Sequence, residues 1–412
     1  MNRLNTWIAM VVLSVSCGVA RAEEWPKWLG PDGTGISTEK IADHWPKDGP
    51  KKLWTQKVGL GFSSVVALDG KVYMFAMQGR GDTLTALDAQ TGKVLWTQSY
   101  PVTHKATKIT DNALDRDTGL PLPEATPSID GQRIYTYGGG GDLVCRDLAD
   151  GKEAWRLNVL DATNAQILDW NEGSSPLVSG DLVYVQGGKG SAVAVAVNKS
   201  DGKLAWKAQA GLGGYAAPIL ADVDGTPQII IFGGNTLFGL NPMTGKTIWT
   251  QPWKTQYDVN AATPIFHDKH LFVTSSYGSG CGMFTLSPTG AKKDWKNKEI
   301  SSKFQSCILD NGRLYGNSSG RLKCLAWPSG KQIWSSSNID LNEGGSFIID
   351  ASQLIALSEK GQLSLVHLQA SGPKVVAEVN VFDYNQVWSA PVIYQGKLYV
   401  KGKEELVCLD IK

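Results

Sequence analysis

The sequence predicts an all-β fold, an eight-bladed β-propeller of four-stranded antiparallel blades closed by the N-terminal strand. Three observations lead to this prediction. A turn motif recurs along the chain, a hairpin precedes each copy of it, and the strand that the last unit lacks is found near the N-terminus. Four strands in each repeat of about 40–50 residues are typical of propeller blades.

The turn motif joins an apolar strand to a strand that carries a tryptophan. In its first copy, Asp88 is followed by Thr91-Gly92-Lys93 and then by Trp96. The Asp side chain can bond to the backbone two residues on, and the Gly supplies the positive φ of a tight turn. We therefore interpret the motif as the link between the last two strands of a blade, with a structural role for its tryptophan. The tryptophans assigned to this position are Trp54, Trp96, Trp155, Trp206, Trp249, Trp295 and Trp334.

The blade count follows from the hairpins that open each unit. They begin near Ser63, Thr126, Ser175, Ala217, Thr263, Ser306, Gly345 and Ala390. The eighth unit stops at Lys412, where its fourth strand should begin, and the segment Gly49–Trp54 carries an unassigned tryptophan. We expect this segment to complete the last blade, which also removes a free sheet edge. The alternative is a seven-bladed ring with residues 345–380 as an insertion, because Ala377 stands where that unit should have its tryptophan.

The N-terminus has the pattern of a secretory signal. Arg3 provides the positive charge, Trp7 to Val15 the apolar segment, and Ala20-Arg21-Ala22 a small-x-small cleavage site. We expect a signal peptide over residues 1–22, an extension over 23–48 and a single propeller domain over 49–412, exported to the periplasm or cell envelope. After cleavage no transmembrane segment is expected. A lipoprotein signal at Cys17 is the alternative, but Ser14 stands where such a signal has an aliphatic residue.

The balance of charges and the positions of the cysteines limit the possible functions and sites. The chain has 40 basic and 39 acidic residues, so nothing electrostatic points to nucleic acid. Cys145, Cys324 and Cys408 share one strand position and are expected to be buried, whereas a disulfide between Cys281 and Cys307 is left open. The segment 222–225 has the letters of a calcium loop but is interpreted as a hairpin turn.

The repeats resemble those of PQQ-like, quinoprotein-type β-propellers, and are BamB-like in repeat type. The resemblance rests on Ala86–Trp96 and on the opening Trp25–Pro31, and it extends over essentially the whole mature chain. It implies one of two branches. Quinone-dependent alcohol and sugar dehydrogenases hold the quinone in the central funnel against a tryptophan, with calcium bridging it to Glu and Asn, whereas BamB-like assembly factors are not catalytic.

The loops that lead into the first strands are expected to frame a binding mouth. The longest of them runs from Thr103 to Pro123 and contains a charged run at residues 111–117. The candidate binding residues are Trp170, Asn171, Glu172, Tyr215, Asn260, Gln305, Glu343 and Trp388. No catalytic residue and no metal site are assigned.

The sequence therefore favours a monomeric, non-catalytic scaffold that binds an envelope protein or polymer and needs no cofactor. The alternative is a PQQ-dependent alcohol or sugar dehydrogenase. It would hold calcium on Glu172 or Glu343 with Asn260 beside it, and a carboxylate base would be required to take the proton of the substrate.

Overall fold

The computed structural model of the protein describes residues 23–106, 118–350 and 353–412. The expected signal peptide and the charged run at 111–117 lie outside the described residues.

Eight sheets of four antiparallel strands in simple order follow one another along the chain, and the short strand Ile36–Ser37 adds a fifth, parallel strand to the seventh. Their middle strands are buried, whereas most fourth strands alternate between exposed and less exposed residues, as expected at the periphery of a propeller. The fold is therefore the predicted eight-bladed β-propeller.

The strands of the first half are numbered in chain order. Two precede the first blade: β1 (Ile36–Ser37) and β2 (Lys52–Lys57). Blade 1 contains β3 (Val66–Leu68), β4 (Lys71–Gln78), β5 (Gly81–Asp88) and β6 (Val94–Pro101), and blade 2 contains β7 (Ser128–Asp130), β8 (Arg133–Tyr137), β9 (Asp142–Asp147) and β10 (Glu153–Asn158). Blade 3 contains β11 (Leu177–Ser179), β12 (Leu182–Gln186), β14 (Ala194–Asn198) and β15 (Leu204–Lys207), and blade 4 contains β17 (Ile219–Val223), β18 (Thr226–Phe232), β19 (Thr236–Leu240) and β20 (Thr247–Pro252). A short helix α1 (Val159–Thr163) and a small sheet of β13 (Ser191–Ala192) with β16 (Ala210–Gly211) lie in the connections.

The second half continues the pattern. Blade 5 contains β21 (Ile265–His267), β22 (His270–Ser275), β23 (Gly280–Ser287) and β24 (Gly290–Asn297), and blade 6 contains β25 (Ile308–Asp310), β26 (Arg313–Ser318), β27 (Arg321–Ala326) and β28 (Lys331–Ser336). Blade 7 contains β29 (Ser346–Asp350), β30 (Gln353–Leu357), β31 (Gln362–Gln369) and β32 (Gly372–Asn380), and blade 8 contains β33 (Val392–Tyr394), β34 (Lys397–Lys401) and β35 (Glu405–Asp410), completed by β2. No helix among the described residues has the length and apolar character needed to cross a bilayer.

The ring is closed by the N-terminal strand. Strand β2 pairs antiparallel with β35, with Trp54 opposite Cys408 and Lys57 opposite Glu405. The closure predicted from the unassigned Trp54 is thus confirmed. The seven-bladed alternative is wrong, because β29–β32 form a regular sheet in which Ala377 pairs with Leu365. Strand pairing and burial hold this blade although its tryptophan is missing.

Five of the seven motif tryptophans contact the turn glycine of the next blade. Trp155 of blade 2 donates its indole N–H to the carbonyl oxygen of Lys199 in blade 3 at 2.9 Å, and its ring packs against Gly202 of the blade 3 turn. A Cβ on Gly202 would lie 2.7 Å from Cδ2 of Trp155, and Gly202 also has a φ of +73°. The motif glycine therefore serves both the turn and the packing of the preceding blade. The same contact recurs between Gly92 and Trp54, Gly151 and Trp96, Gly245 and Trp206, and Gly330 and Trp295.

The five cysteines of the described chain are buried free thiols, so the disulfide left open between Cys281 and Cys307 is not formed. The Cys281 thiol donates instead to Oδ1 of Asn297 at 3.0 Å. Cys145 and Cys324 lie in the third strands β9 and β27, and Cys408 lies in β35, as predicted. The segment 222–225 is the predicted hairpin turn between β17 and β18.

Candidate functional site: a central funnel closed at one end

A belt of hydrogen bonds joins the segments that lead into the first strands. The backbone N–H of Ser64 donates to Oγ1 of Thr126 at 3.1 Å, and that of Thr126 donates to Oγ of Ser175 at 2.9 Å. The N–H of Ala390 in turn donates to Oγ of Ser64 at 2.8 Å, which carries the belt across the ring closure. These short polar side chains hold neighbouring blades at fixed spacing around the central channel.

The N-terminal extension crosses this channel. Trp25 exchanges two backbone hydrogen bonds with Ala67 of blade 1, at 2.9 and 2.8 Å. Strand β1 pairs in parallel with β29, the first strand of blade 7. Between these contacts, the indole N–H of Trp28 donates to Oγ1 of Thr263 in blade 5 at 3.0 Å. Because it reaches separated blades of the ring, the extension closes one end of the channel, and Trp28 forms part of the floor of the cavity above it.

This cavity, called the funnel below, has a volume of about 200 Å³. Among the described residues of its lining, aromatic side chains dominate, and Glu124 and Lys303 are charged. A small apolar cavity with a few polar groups is the usual form of a ligand site. The aromatic lining residues are Trp28, Phe62, Trp170, Tyr215, Tyr277, Phe304 and Trp388.

The aromatic rings form two groups. In the first, Trp170 makes edge contacts with Tyr215 and Tyr257, with ring centroids 6.5 and 6.0 Å apart. In the second, Trp388 lies between Phe62 at 4.7 Å and Phe304 at 5.0 Å. Such tilted and edge-on pairs are favourable arrangements for aromatic rings. Both groups therefore hold their lining side chains in place by packing as well as by the backbone.

Two carboxyl groups lie close to the aromatic group of Trp170: Glu124 lines the funnel, and Glu172 is buried in the wall. Glu172 is completely buried; its Oε1 accepts from the N–H of Leu168 at 3.2 Å and its Oε2 from the hydroxyl of Tyr137 at 3.5 Å. Glu124 is half-buried and accepts from Nδ2 of Asn171 at 3.5 Å. Burial raises the pKa of each group to about 8, and the neighbouring Glu172 adds to the rise for Glu124. Both carboxyl groups therefore hold a proton near neutral pH.

Lys303, the lysine of the lining, already forms an ion pair with a carboxylate. Nζ of Lys303 lies 2.9 Å from Oε2 of Glu343 and 5.2 Å from the centre of the Phe304 ring. The side chain of Glu343 is 60% exposed. This ion pair marks the rim of the funnel on the side of blades 5 to 7.

The structure separates the predicted site residues into three groups. Trp170, Tyr215 and Trp388 line the funnel, and Glu343 is exposed at its rim. The remaining predicted residues are buried outside the lining: Asn171, Glu172, Asn260 and Gln305.

Sequence reasoning did not select Trp28, Phe62, Glu124, Tyr277 or Lys303, which also line the funnel. A signal existed for some of them. Trp28 belongs to the opening segment that carries the family resemblance, and Glu124 follows the long loop by a single residue.

The donor set proposed for calcium is not assembled. Nδ2 of Asn260 donates to the carbonyl oxygens of Gly233 and Gly234 at 2.8 and 2.9 Å, and its Oδ1 accepts from Ser275 at 2.6 Å. Glu172 uses both oxygens inside the wall, and Glu343 is paired at the rim. In the described ranges, no three His, Cys, Asp or Glu side chains come close enough to share a metal ion. The residues named for the calcium of a quinone site therefore do not fit it.

Fold and funnel together define a closed eight-bladed propeller of the PQQ-like repeat class. The family described as "Outer membrane protein assembly factor BamB" matches residues 39–114 and 112–336, and the chain belongs to this family.

Curated relatives match over part of their length. Outer membrane protein assembly factor BamB of Kangiella koreensis is 27% identical over 220 residues, which are 53% of this chain and 49% of the relative. The protein of the same name from Aliivibrio fischeri is 35% identical over 104 residues, which are 25% of this chain and 24% of the relative. The chain thus spans about half or less of the curated relatives it matches.

Solved structures share the architecture. BamB from Moraxella catarrhalis superposes with a TM-score of 0.63 at 15% identity, covering 88% of this chain and 98% of that one. A europium-containing methanol dehydrogenase gives a TM-score of 0.55 at 13% identity, covering 92% and 89%. At these identities the likeness concerns the fold alone, and function has to be argued from the site.

Proposed function

We propose that the protein is an exported, non-catalytic β-propeller that binds a protein or polymer of the cell envelope through its central funnel. The observation that carries this proposal is the aromatic lining of a one-ended cavity in a closed ring. Aromatic anchors held by their neighbours lose little conformational entropy when a partner binds, which makes them effective contact residues. Membership of the BamB family supports a partner in the envelope.

Export rests on the expected signal peptide over residues 1–22. N-terminal sequencing of the exported protein tests it, because the mature chain should begin at Glu23. A product that retains residue 1 would contradict export by a cleaved signal.

Partner binding is tested by capture from envelope extracts with four baits: the wild type, Trp170→Ala, Trp388→Ala and Met243→Ala. Met243 is 72% exposed on an outer turn and serves as the control. A partner retained by the wild type and Met243→Ala but lost by both tryptophan variants supports the proposal. Identical partners on all four folded baits would contradict it. Thermal unfolding of each bait shows whether a variant has lost its fold.

A quinone-dependent dehydrogenase is the second candidate, because the aromatic lining offers flat surfaces on which a quinone could stack. The proposed calcium ligands argue against it, as described above. Adding PQQ and Ca²⁺ to the purified protein should give no saturable absorbance band and no dye reduction with alcohols or sugars. A saturable band together with alcohol- or sugar-dependent dye reduction, both lost in Glu172→Gln or Glu343→Gln, would favour the dehydrogenase instead.

A further inference from the structure

We propose that the funnel binds an organic cation, an ammonium or guanidinium group on an apolar stem, with the charge beside Glu124 and the stem against the aromatic rings. This inference rests on the proposed function, since it assigns a ligand chemistry to the same site.

The aromatic lining provides the first argument. Trp28, Trp170 and Trp388 all reach the cavity, and tryptophan is the side chain whose ring attracts a cation most strongly when the charge lies within about 6 Å of its centre. The same rings bury the methylene groups of a stem. A cavity of about 200 Å³ suits a ligand the size of a side chain.

The counter-charge provides the second argument. Buried carboxyl groups in proteins are normally paired with a cation. Glu124 has the amide of Asn171 as its hydrogen-bond partner and the buried carboxyl group of Glu172 as its titratable neighbour. Lys189, the lysine whose charge acts on Glu172, is paired with Asp169. A cation in the funnel would therefore be the first positive partner of Glu124 among the described residues.

The groups around Glu124 allow it to act as the partner of a bound cation. Tyr215 and Glu172 face it from the neighbouring loops, and the cation across the funnel, Lys303, is neutralised by Glu343 at 2.9 Å. Gly173 gives the carboxyl group its space, because a Cβ there would lie 3.0 Å from Oε2 of Glu124. An anionic ligand would meet Glu124 without gaining an unpaired cation from the described part of the lining.

The proton held by Glu124 should make the binding of a cation depend on pH. Burial raises the pKa of Glu124 to about 8, so the group is protonated near neutrality. A bound cation favours the ionised carboxylate, and binding should then release about one proton. The affinity should therefore increase about tenfold for each unit by which the pH rises towards the pKa of Glu124, and it should level off above that pKa. A neutral ligand of the same shape gains nothing from the ionisation of Glu124.

The test is calorimetric titration of the mature protein with N-acetyl-lysine methylamide, in two buffers of different ionisation enthalpy between pH 6 and pH 8. N-acetyl-norleucine methylamide, which has a similar apolar side chain without the ammonium, is the neutral probe. Butylamine is the second cationic probe, and it tests whether the cation comes from a free amine or from a polypeptide side chain. Equal binding of butylamine and the lysine probe indicates a free amine. Tighter binding of the lysine probe indicates a polypeptide.

The expected result is proton-linked binding of a cationic probe, with the norleucine probe at least about tenfold weaker. Glu124→Gln should weaken cation binding by about tenfold to a hundredfold, the usual range for a lost hydrogen bond to a charged group, and abolish its pH dependence. Gly173→Ala should weaken it by crowding the carboxyl group, and Glu378→Gln, an exposed change on β32, should leave it unchanged.

Equal binding of the norleucine probe, no binding of either cationic probe, or unchanged binding by folded Glu124→Gln would overturn the inference. These outcomes are separate from the capture experiment. If Trp170→Ala and Trp388→Ala lose a partner while no cation binds, the proposed function stands without this ligand chemistry.

Discussion

Replacing the motif glycine Gly202 by alanine tests the link between neighbouring blades. Gly180 is the matched control, because it also has a positive φ, +57°, but a Cβ there would meet nothing within 4 Å. At Gly202 the φ is +73° and the added Cβ would lie 2.7 Å from the Trp155 ring. The two substitutions therefore share backbone strain and differ in the steric contact.

The magnitudes follow from these two terms. A left-handed backbone costs an alanine about 1–2 kcal/mol, which is the expected loss for Gly180→Ala. Overpacking against a buried ring adds about 1–3 kcal/mol, so Gly202→Ala should lose about 2–5 kcal/mol of the free energy of unfolding. Chemical denaturation followed by tryptophan fluorescence and by circular dichroism measures both losses and checks that unfolding is two-state.

A double-mutant cycle identifies the source of the extra loss. Trp155→Ala alone should cost about 3–5 kcal/mol, as is usual for a large buried ring. In that background Gly202→Ala should cost no more than Gly180→Ala, because the ring it would strike is gone. Equal losses for Gly202→Ala and Gly180→Ala in the wild-type background would refute the reasoning.

Four further results are expected. Deleting residues 23–58 should lower the melting temperature and cause aggregation, because β35 loses its partner β2 and becomes a free edge; an unchanged, soluble monomer would contradict this. Trp28→Ala should create a site for added indole in the floor of the funnel, detected by a rise in melting temperature that the wild type does not show. Stability should fall as the pH rises from about 5 to 8, because Glu124 and Glu172, whose folded pKa is raised to about 8, keep their protons only in the folded state; the midpoint of denaturation measures this, and Glu124→Gln should reduce the slope. The five cysteines of the described chain should react with a thiol reagent only after unfolding, since they are buried and free; rapid reaction of the native protein would contradict their burial.

Much of the fold could be predicted because it repeats. The Asp–Gly–Trp spacing marks a tight turn and a packing position, and both depend on residues close together in the chain. The closure of the ring could also be inferred, because a surplus strand with Trp54 at one end matches a missing strand at the other. The seventh unit forms a regular blade without the motif tryptophan, since strand pairing depends on the pattern of the whole segment.

The candidate site was predicted less well. Trp170, Tyr215 and Trp388 could be selected because they are aromatic residues in loops that precede first strands. The same rule also selected Asn260 and Glu172, whose polar atoms bond inside the wall. Position in a loop does not reveal which way a side chain points, because that depends on groups supplied by other blades.

The sequence by itself determined the blade repeat, the number of blades and the strand that closes the ring, because each follows from local turn chemistry and from hydrophobic pattern. Only the tertiary structure decided that the opening segment crosses the channel and that Trp28 reaches Thr263, which is 235 positions further along the chain. It also decided that Glu124 and Lys303 share one cavity. A closed ring brings residues from distant repeats to one axis, and their contacts across that axis leave no periodic mark in the chain.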